Sequence, residues 1–299
     1  MIAGLLWILC DSDLLRSFAI QRDVALAFLR QVRMGYAKYL NPYHSFRHAF
    51  DVTQFCYMLL VLGGQRAASL TPVEALALVV AAICHDLEHP GTDFAFQVSI
   101  QSHLSTKYQA CESPLETHHL ACARVILNDP DCDILGRLPR ADRQRVLDLV
   151  GQCILATDMS VHHRILARWN DLFPGGRATG DAASVPRDTR VTLVLQMFIK
   201  FADIGNVCRP WAVSVHWAQC LIDELMRVHD AVVGLGHVPN AFLSRVSSDP
   251  EAVVSGFSAN IARPLVDIVV GVMPEASVLL QNLDSNVDHW HARTSPTAS

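Results

Sequence analysis

Apolar residues recur along the chain at intervals of three and four, and no stretch sustains the alternation a half-buried strand needs, so the pattern predicts an all-α protein. Residues 1–10 (MIAGLLWILC) are apolar but short of the roughly 20 residues that span a bilayer, and neither a basic leader nor a small-residue cleavage site flanks them. They read as a first core helix. An amphipathic segment over 21–39 ends at Asn41-Pro42, because the residue before a proline is pushed out of the helical region. A second, from 43 to 62, stops at Gly63-Gly64. Thr71-Pro72-Val73-Glu74 has the spacing of a capping box with proline at the first helical position. It opens a segment that is apolar on every side through Cys84, which predicts a helix at the centre of the domain. Ser113-Pro114-Leu115-Glu116 repeats that start signal before a segment ending near Asn128-Asp129-Pro130, and helical periodicity returns over about 140–156, 188–202, 210–233 and 253–272. Residues 174–186 (PGGRATGDAASVP) read as a surface loop. With no internal repeat and no long linker, residues 1–299 are expected to form a compact single-domain multi-helix bundle.

Composition narrows the function. Hydrophobic residues make up 51% and charged residues 18%, enough for a large core, and the formal net charge of -5 excludes the basic excess of a nucleic-acid binder. No later stretch reaches spanning length without a charge or a turn signal, so no membrane span is expected. The nine cysteines are odd in number, form no CxxC pair and are scattered through apolar stretches (Cys56, Cys84, Cys153, Cys220), as expected of buried thiols in a cytoplasmic protein.

The 14 histidines call for a chemical explanation. His44 and His48 stand four apart, on one helical face, while His85-Asp86 closes the buried helix and Asp203 ends the apolar run 191–202. Burying such groups requires a partner or a metal. Two imidazoles and two carboxylates suit a transition ion such as zinc, with oxygen donors left for a harder ion such as magnesium. Taken singly, each has an ordinary structural reading; Glu116 could close a capping box on Ser113, and Thr157 could cap a helix.

Five ordered motifs, Tyr43-His44-Ser45-Phe46-Arg47-His48-Ala49-Phe50-Asp51-Val52, His85-Asp86-Leu87-Glu88-His89-Pro90-Gly91, Leu115-Glu116-Thr117-His118-His119, Thr157-Asp158-Met159 and Ala202-Asp203-Ile204-Gly205-Asn206, resemble the signature of the class I cyclic nucleotide phosphodiesterases, members of the His-Asp metal phosphohydrolase superfamily. The resemblance runs over about residues 10–290. It implies a buried binuclear centre in which His48, His85, Asp86 and Asp203 hold the tighter ion, usually Zn2+. Asp86 would bridge to a second, usually Mg2+ with Mn2+ as the alternative, whose water ligands are held by His89, Glu116 and Thr157. Two such ions can generate hydroxide near neutral pH and stabilise an in-line displacement at phosphorus. His44 would then protonate the departing ribose 3′ oxygen.

The resemblance also implies that Phe257 and Leu221 sandwich the base while Tyr43, Asn206 and Trp217 line its pocket. Departures gather there. Val254 stands where the family has a glutamine that reads the purine edge; Thr117 replaces an Asn, Glu88 an Asp and Phe94 an Asn, and the stretch 108–113 is one residue longer than usual. The chain before Tyr43 is shorter than usual. The expected activity is hydrolysis of 3′,5′-cyclic nucleotides, cAMP or cGMP or both, to 5′-monophosphates, in a protein that can form a homodimer. The alternatives are a metal-dependent phosphohydrolase acting on another nucleotide or phosphoester, and a catalytically lapsed regulatory domain that binds nucleotide. Retention of every implied ligand and of His44 counts against the last.

Overall fold

The computed structural model describes residues 1–174 and 185–294, and every regular element among them is helical. The expected loop 174–186 lies, over residues 175–184, outside the described residues. The longer helices are α1 (Ile2–Asp11), α2 (Arg22–Tyr36), α3 (Phe46–Leu59), α4 (Pro72–Cys84), α5 (Pro114–Asn128), α6 (Arg140–Thr157) and α7 (His162–Leu172). They continue with α8 (Arg187–Ile204), α9 (Trp211–Gly234), α10 (Ala241–Ser248), α11 (Pro250–Phe257), α12 (Arg263–Val272) and α13 (Ser277–Thr294). As its all-round apolar sequence requires, α4 is the central helix: residues from Glu74 to Cys84 are all buried, and it packs against α3, α6 and α8.

The capping box at the start of α4 forms as expected. The Glu74 amide donates to Thr71 Oγ1 at 3.4 Å and the Thr71 amide to Glu74 Oε2 at 2.8 Å. Arg187 at the start of α8 then clamps the same carboxylate, Nη1 to Oε1 at 2.7 Å and Nη2 to Oε2 at 2.8 Å, joining the beginnings of two core helices. Despite burial, the Arg187 hydrogen bonds and charge hold Glu74 below its ordinary pKa.

Three expected elements differ. The helix expected from residue 43 starts at Phe46, because the amides of Tyr43 and His44 are drawn away to a carboxylate on α9. The capping box at Ser113 does not form; its hydroxyl donates to Asp158 Oδ2 at 2.7 Å, leaving Glu116 free of that structural duty. The stretch 253–272 is two helices joined by the wide turn Ser258–Ala262, where the Ser258 hydroxyl bonds the Val254 carbonyl at 2.8 Å and Pro264 lacks an amide hydrogen. Helices α7, α10 and α13 and the short Phe94–Ser99 and His103–Tyr108 were not expected from periodicity. Two stretches, Arg187–Cys208 and Pro250–Val272, are long and apolar enough to span a membrane by length and composition; the first is 72% buried over its most apolar window, and the second contains the wide turn.

Candidate active site

Four side chains from three helices converge where α3, α4 and α8 meet. His48 lies in the first turn of α3, His85 and Asp86 follow the last turn of α4, and Asp203 is in the last turn of α8. His85 Nδ1 donates to the Ala82 carbonyl at 2.9 Å, which fixes the tautomer and turns the Nε2 lone pair into the cluster. His85 Nε2 stands 3.4 Å from His48 Nε2, 3.0 Å from Asp86 Oδ2 and 3.3 Å from Asp203 Oδ1. His48 Nε2 stands 2.9 Å from Asp203 Oδ1 and 3.6 Å from Asp86 Oδ2. A tetrahedral zinc with bonds of about 2.0–2.2 Å spaces its ligand atoms about 3.3–3.6 Å apart, so this donor set fits such an ion with little rearrangement. Burial alone would lower His85, but the Asp86 and Asp203 carboxylates raise it well above the ordinary histidine pKa, and the histidines in turn hold both carboxylates low against their own burial. Two ring nitrogens and two carboxylates gathered this closely form a donor set suited to a divalent cation.

Beside it stands a separate assembly. His44 Nδ1 pairs closely with Glu224 Oε1 from α9, while Glu224 Oε2 accepts the main-chain amides of Tyr43 at 3.0 Å and His44 at 3.1 Å. His44, His89 and Glu224 also lie within metal-binding reach of one another, but these contacts already occupy the carboxylate. Burial disfavours the imidazolium, yet Glu224 and, less closely, Asp86 and Asp203 outweigh it and push His44 up to about 9. His44 stacks on His89 with ring centroids 3.8 Å apart. Asn41 donates to the carbonyls of both, at 3.0 and 2.8 Å, and Gly91 (φ +74) is tight against that asparagine, so a side chain there would strike it.

Both assemblies open on a cleft of about 470 Å³ whose walls include His44, Asp86, His89, Glu116, Thr157 and Asp203. Burial first, and then Asp158, pushes Glu116 up to about 8, so this carboxyl also gains from a nearby cation. Thr157 closes α6 and donates to the Ile154 carbonyl at 2.8 Å. Behind it, Lys200 is 2% exposed and donates to the carbonyls of Ala156 at 2.7 Å and Asp158 at 3.1 Å, pinning the corner that carries Thr157.

Comparison with known proteins now has a site to refer to. The family model of the 3′5′-cyclic nucleotide phosphodiesterases matches residues 43–283. The chain belongs to this family. It is 31% identical over 281 residues to the mouse protein named high affinity cGMP-specific 3′,5′-cyclic phosphodiesterase 9A, covering 94% of this chain and 51% of that one. It is 30% identical over 288 residues to a Caenorhabditis elegans protein named probable 3′,5′-cyclic-AMP phosphodiesterase pde-4, covering 96% of this chain and 42% of that one. The chain thus spans about half the length of these curated relatives. The crystal structure of the phosphodiesterase domain of the RhoPDE fusion protein from the choanoflagellate Salpingoeca rosetta superimposes with a TM-score of 0.89 at 27% identity, covering 97% of this chain and 90% of that one.

Within this phosphodiesterase fold the residues expected around the base are less gathered than the metal-binding set. Asn206 Nδ2 donates to Tyr43 Oη at 2.6 Å, and Trp217 packs edge-on against Tyr43, centroids 5.7 Å apart, so these three stand together beside His48. Leu221 is half-buried one turn further along α9. Val254 packs with Ala218 and Trp290, and Phe257 packs on the main core. None of these six lines the cleft, whose apolar wall is made by Phe94, Met159, Leu225, Val228, Phe242 and Leu243. Sequence reasoning also missed Glu224 and Lys200. A glutamate seven residues after Trp217 shares its helix face, and a lysine within the apolar run 191–202 is itself a signal of buried function.

Proposed function

We propose that the protein hydrolyses 3′,5′-cyclic nucleotides to 5′-monophosphates, with His44 as the general acid. The observation that carries this reading is the juxtaposition of a four-donor cluster able to hold a cation with an imidazole paired to a buried carboxylate, both facing one cleft. His48, His85, Asp86 and Asp203 would hold Zn2+, and Asp86 with His89, Glu116 and Thr157 would serve a second ion, Mg2+ or Mn2+, through water. When bound, the pair supplies Lewis acidity that makes water a nucleophile near neutral pH and offsets charge on the phosphoryl oxygens.

The chain's own part is proton delivery. With Nδ1 engaged by Glu224, the proton available to a substrate is on His44 Nε2, where it can pass to the departing ribose 3′ oxygen. Stacking on His89 and the Asn41 bonds hold the ring in place for that transfer. Relatives named for cyclic AMP and for cyclic GMP are nearly equally similar, and Val254 offers no hydrogen bond to a base, so the reading includes weak discrimination between the two purines. Nine free cysteines, five of them buried, suit a reducing cytoplasm.

The test is His44→Ala on two substrates. General acid catalysis is worth about 10²–10⁴-fold, so turnover of a cyclic nucleotide should fall by that much with the ions retained, while an aryl diester such as bis-p-nitrophenyl phosphate, whose leaving group needs no proton, loses far less. An equal deficit on both substrates would show that His44 has another task.

A further inference from the structure

Outside the cleft, a second gathering of metal-binding atoms has no part in the chemistry above. Glu88, in the turn after α4, meets His118 and Cys122 of α5, and one donor atom from each lies within 4.8 Å of the others. His118 and Cys122 are four apart, so they share a helix face. His118 Nε2 is the shared vertex, 3.6 Å from Cys122 Sγ and 3.4 Å from Glu88 Oε2. For a tetrahedral zinc with a nitrogen ligand at about 2.0–2.1 Å and a sulfur at about 2.3 Å, the two ligand atoms stand about 3.6 Å apart, and a nitrogen and an oxygen ligand about 3.3–3.5 Å apart. Both edges match.

The surroundings agree with that use. Tyr108 Oη stands 3.4 Å from His118 Nδ1, the place of the outer partner that orients a ligating histidine. Glu88 holds a left-handed backbone, φ 58, that turns it onto α5. Its carboxylate pairs with the Lys38 ammonium, which is 48% exposed and free to move into water when a divalent ion replaces it. His216 and Cys220 on α9 provide an internal contrast: Sγ and Nε2 are 3.7 Å apart at the same helical spacing, but no third such donor joins them among the described residues.

We propose that Glu88, His118 and Cys122 form a separate site for a thiophilic divalent ion such as Zn2+, with water as the fourth ligand. The thiol proton passes to solvent as the ion binds. The site is a neighbour of the main centre and shares no ligand with it: Glu88 is two residues from Asp86, and His119, next to His118, stands 3.9 Å from Asp86 Oδ1.

Protein loaded with Zn2+ at free concentrations held by a chelating buffer should carry one more equivalent of zinc than Cys122→Ser or His118→Gln, measured by elemental analysis. Cys220→Ser should keep the full complement. Losing the thiolate should weaken this ion by at least about 100-fold, more than the loss of an outer-shell partner costs. Cys122→Ser, which touches nothing in the cleft, should retain the other ions and its hydrolytic rate, which shows that it is folded. With Co2+ as probe, the thiolate-to-cobalt charge-transfer band should appear in the parent protein and Cys220→Ser and vanish in Cys122→Ser. Equal metal content in the parent and Cys122→Ser, or a band that survives Cys122→Ser, would overturn the proposal.

Discussion

Glu224→Gln keeps the shape of the side chain that meets His44 and removes its charge. A carboxylate in contact with an imidazolium raises the imidazole pKa by about 1–3 units. In the wild type this attraction overcomes burial and brings His44 up to about 9, so the acid is loaded across the neutral range. Without the charge, burial pulls the value back, and a fall of about 1–3 units reduces the protonated fraction at about pH 8 by about 2- to 100-fold. Near pH 5.5 His44 is mostly protonated in both proteins, and their rates should converge. The assay is kcat for cyclic nucleotide hydrolysis by metal-loaded protein from about pH 5.5 to 9.5. A basic limb displaced downward in Glu224→Gln is the expected result. A loss by one constant factor at every pH would show that Glu224 only places the ring, and an unchanged profile would refute the pairing.

The clamp between α4 and α8 gives a stability prediction: Arg187→Met removes two charge-assisted hydrogen bonds from the buried Glu74 carboxylate, leaving Arg145 at 3.6 Å as its remaining cation, and should cost about 1–2 kcal/mol in urea unfolding at pH 7. Because the folded state lowers the Glu74 pKa, the wild-type contribution is full above the ordinary value of 4.5 and fades as pH falls through the folded one, so the deficit should shrink near pH 4; a deficit independent of pH would contradict it. On the base side, the wild type should show a high KM and little preference between cyclic AMP and cyclic GMP. A low-micromolar wild-type KM with strong preference for one purine would show that other groups read the base.

What was legible in the sequence follows from how local each signal is. The capping box and the all-round apolar run predicted α4, and the ligands His85 and Asp86 are visible because they end that helix. Glu224 was not singled out, since its partner lies 180 residues away and the local signal is only the helix face it shares with Trp217. The same long-range bonds delayed the start of α3 to Phe46, and a tertiary contact with Asp158 took Ser113 from its expected capping role. Helices α7 and α10 are short and pack chiefly on the elements next to them in sequence, so each offers few turns in which a periodic face can show. Val254 shows the other limit: its absent amide could be read from the chain, but its packing on Ala218 and Trp290 depends on α9 and α13 coming together.

The most direct measurement is product analysis. Metal-loaded protein is incubated with cyclic AMP and cyclic GMP, the nucleotides are separated, and the reaction is repeated after chelation and with His44→Ala. Cleavage of the bond to the 3′ oxygen predicts the 5′-monophosphate as sole product, lost on chelation, restored by Zn2+ with Mg2+, and reduced by about 10²–10⁴-fold in His44→Ala. A 3′-monophosphate, product formation indifferent to chelation, or no turnover by fully loaded protein would contradict the account.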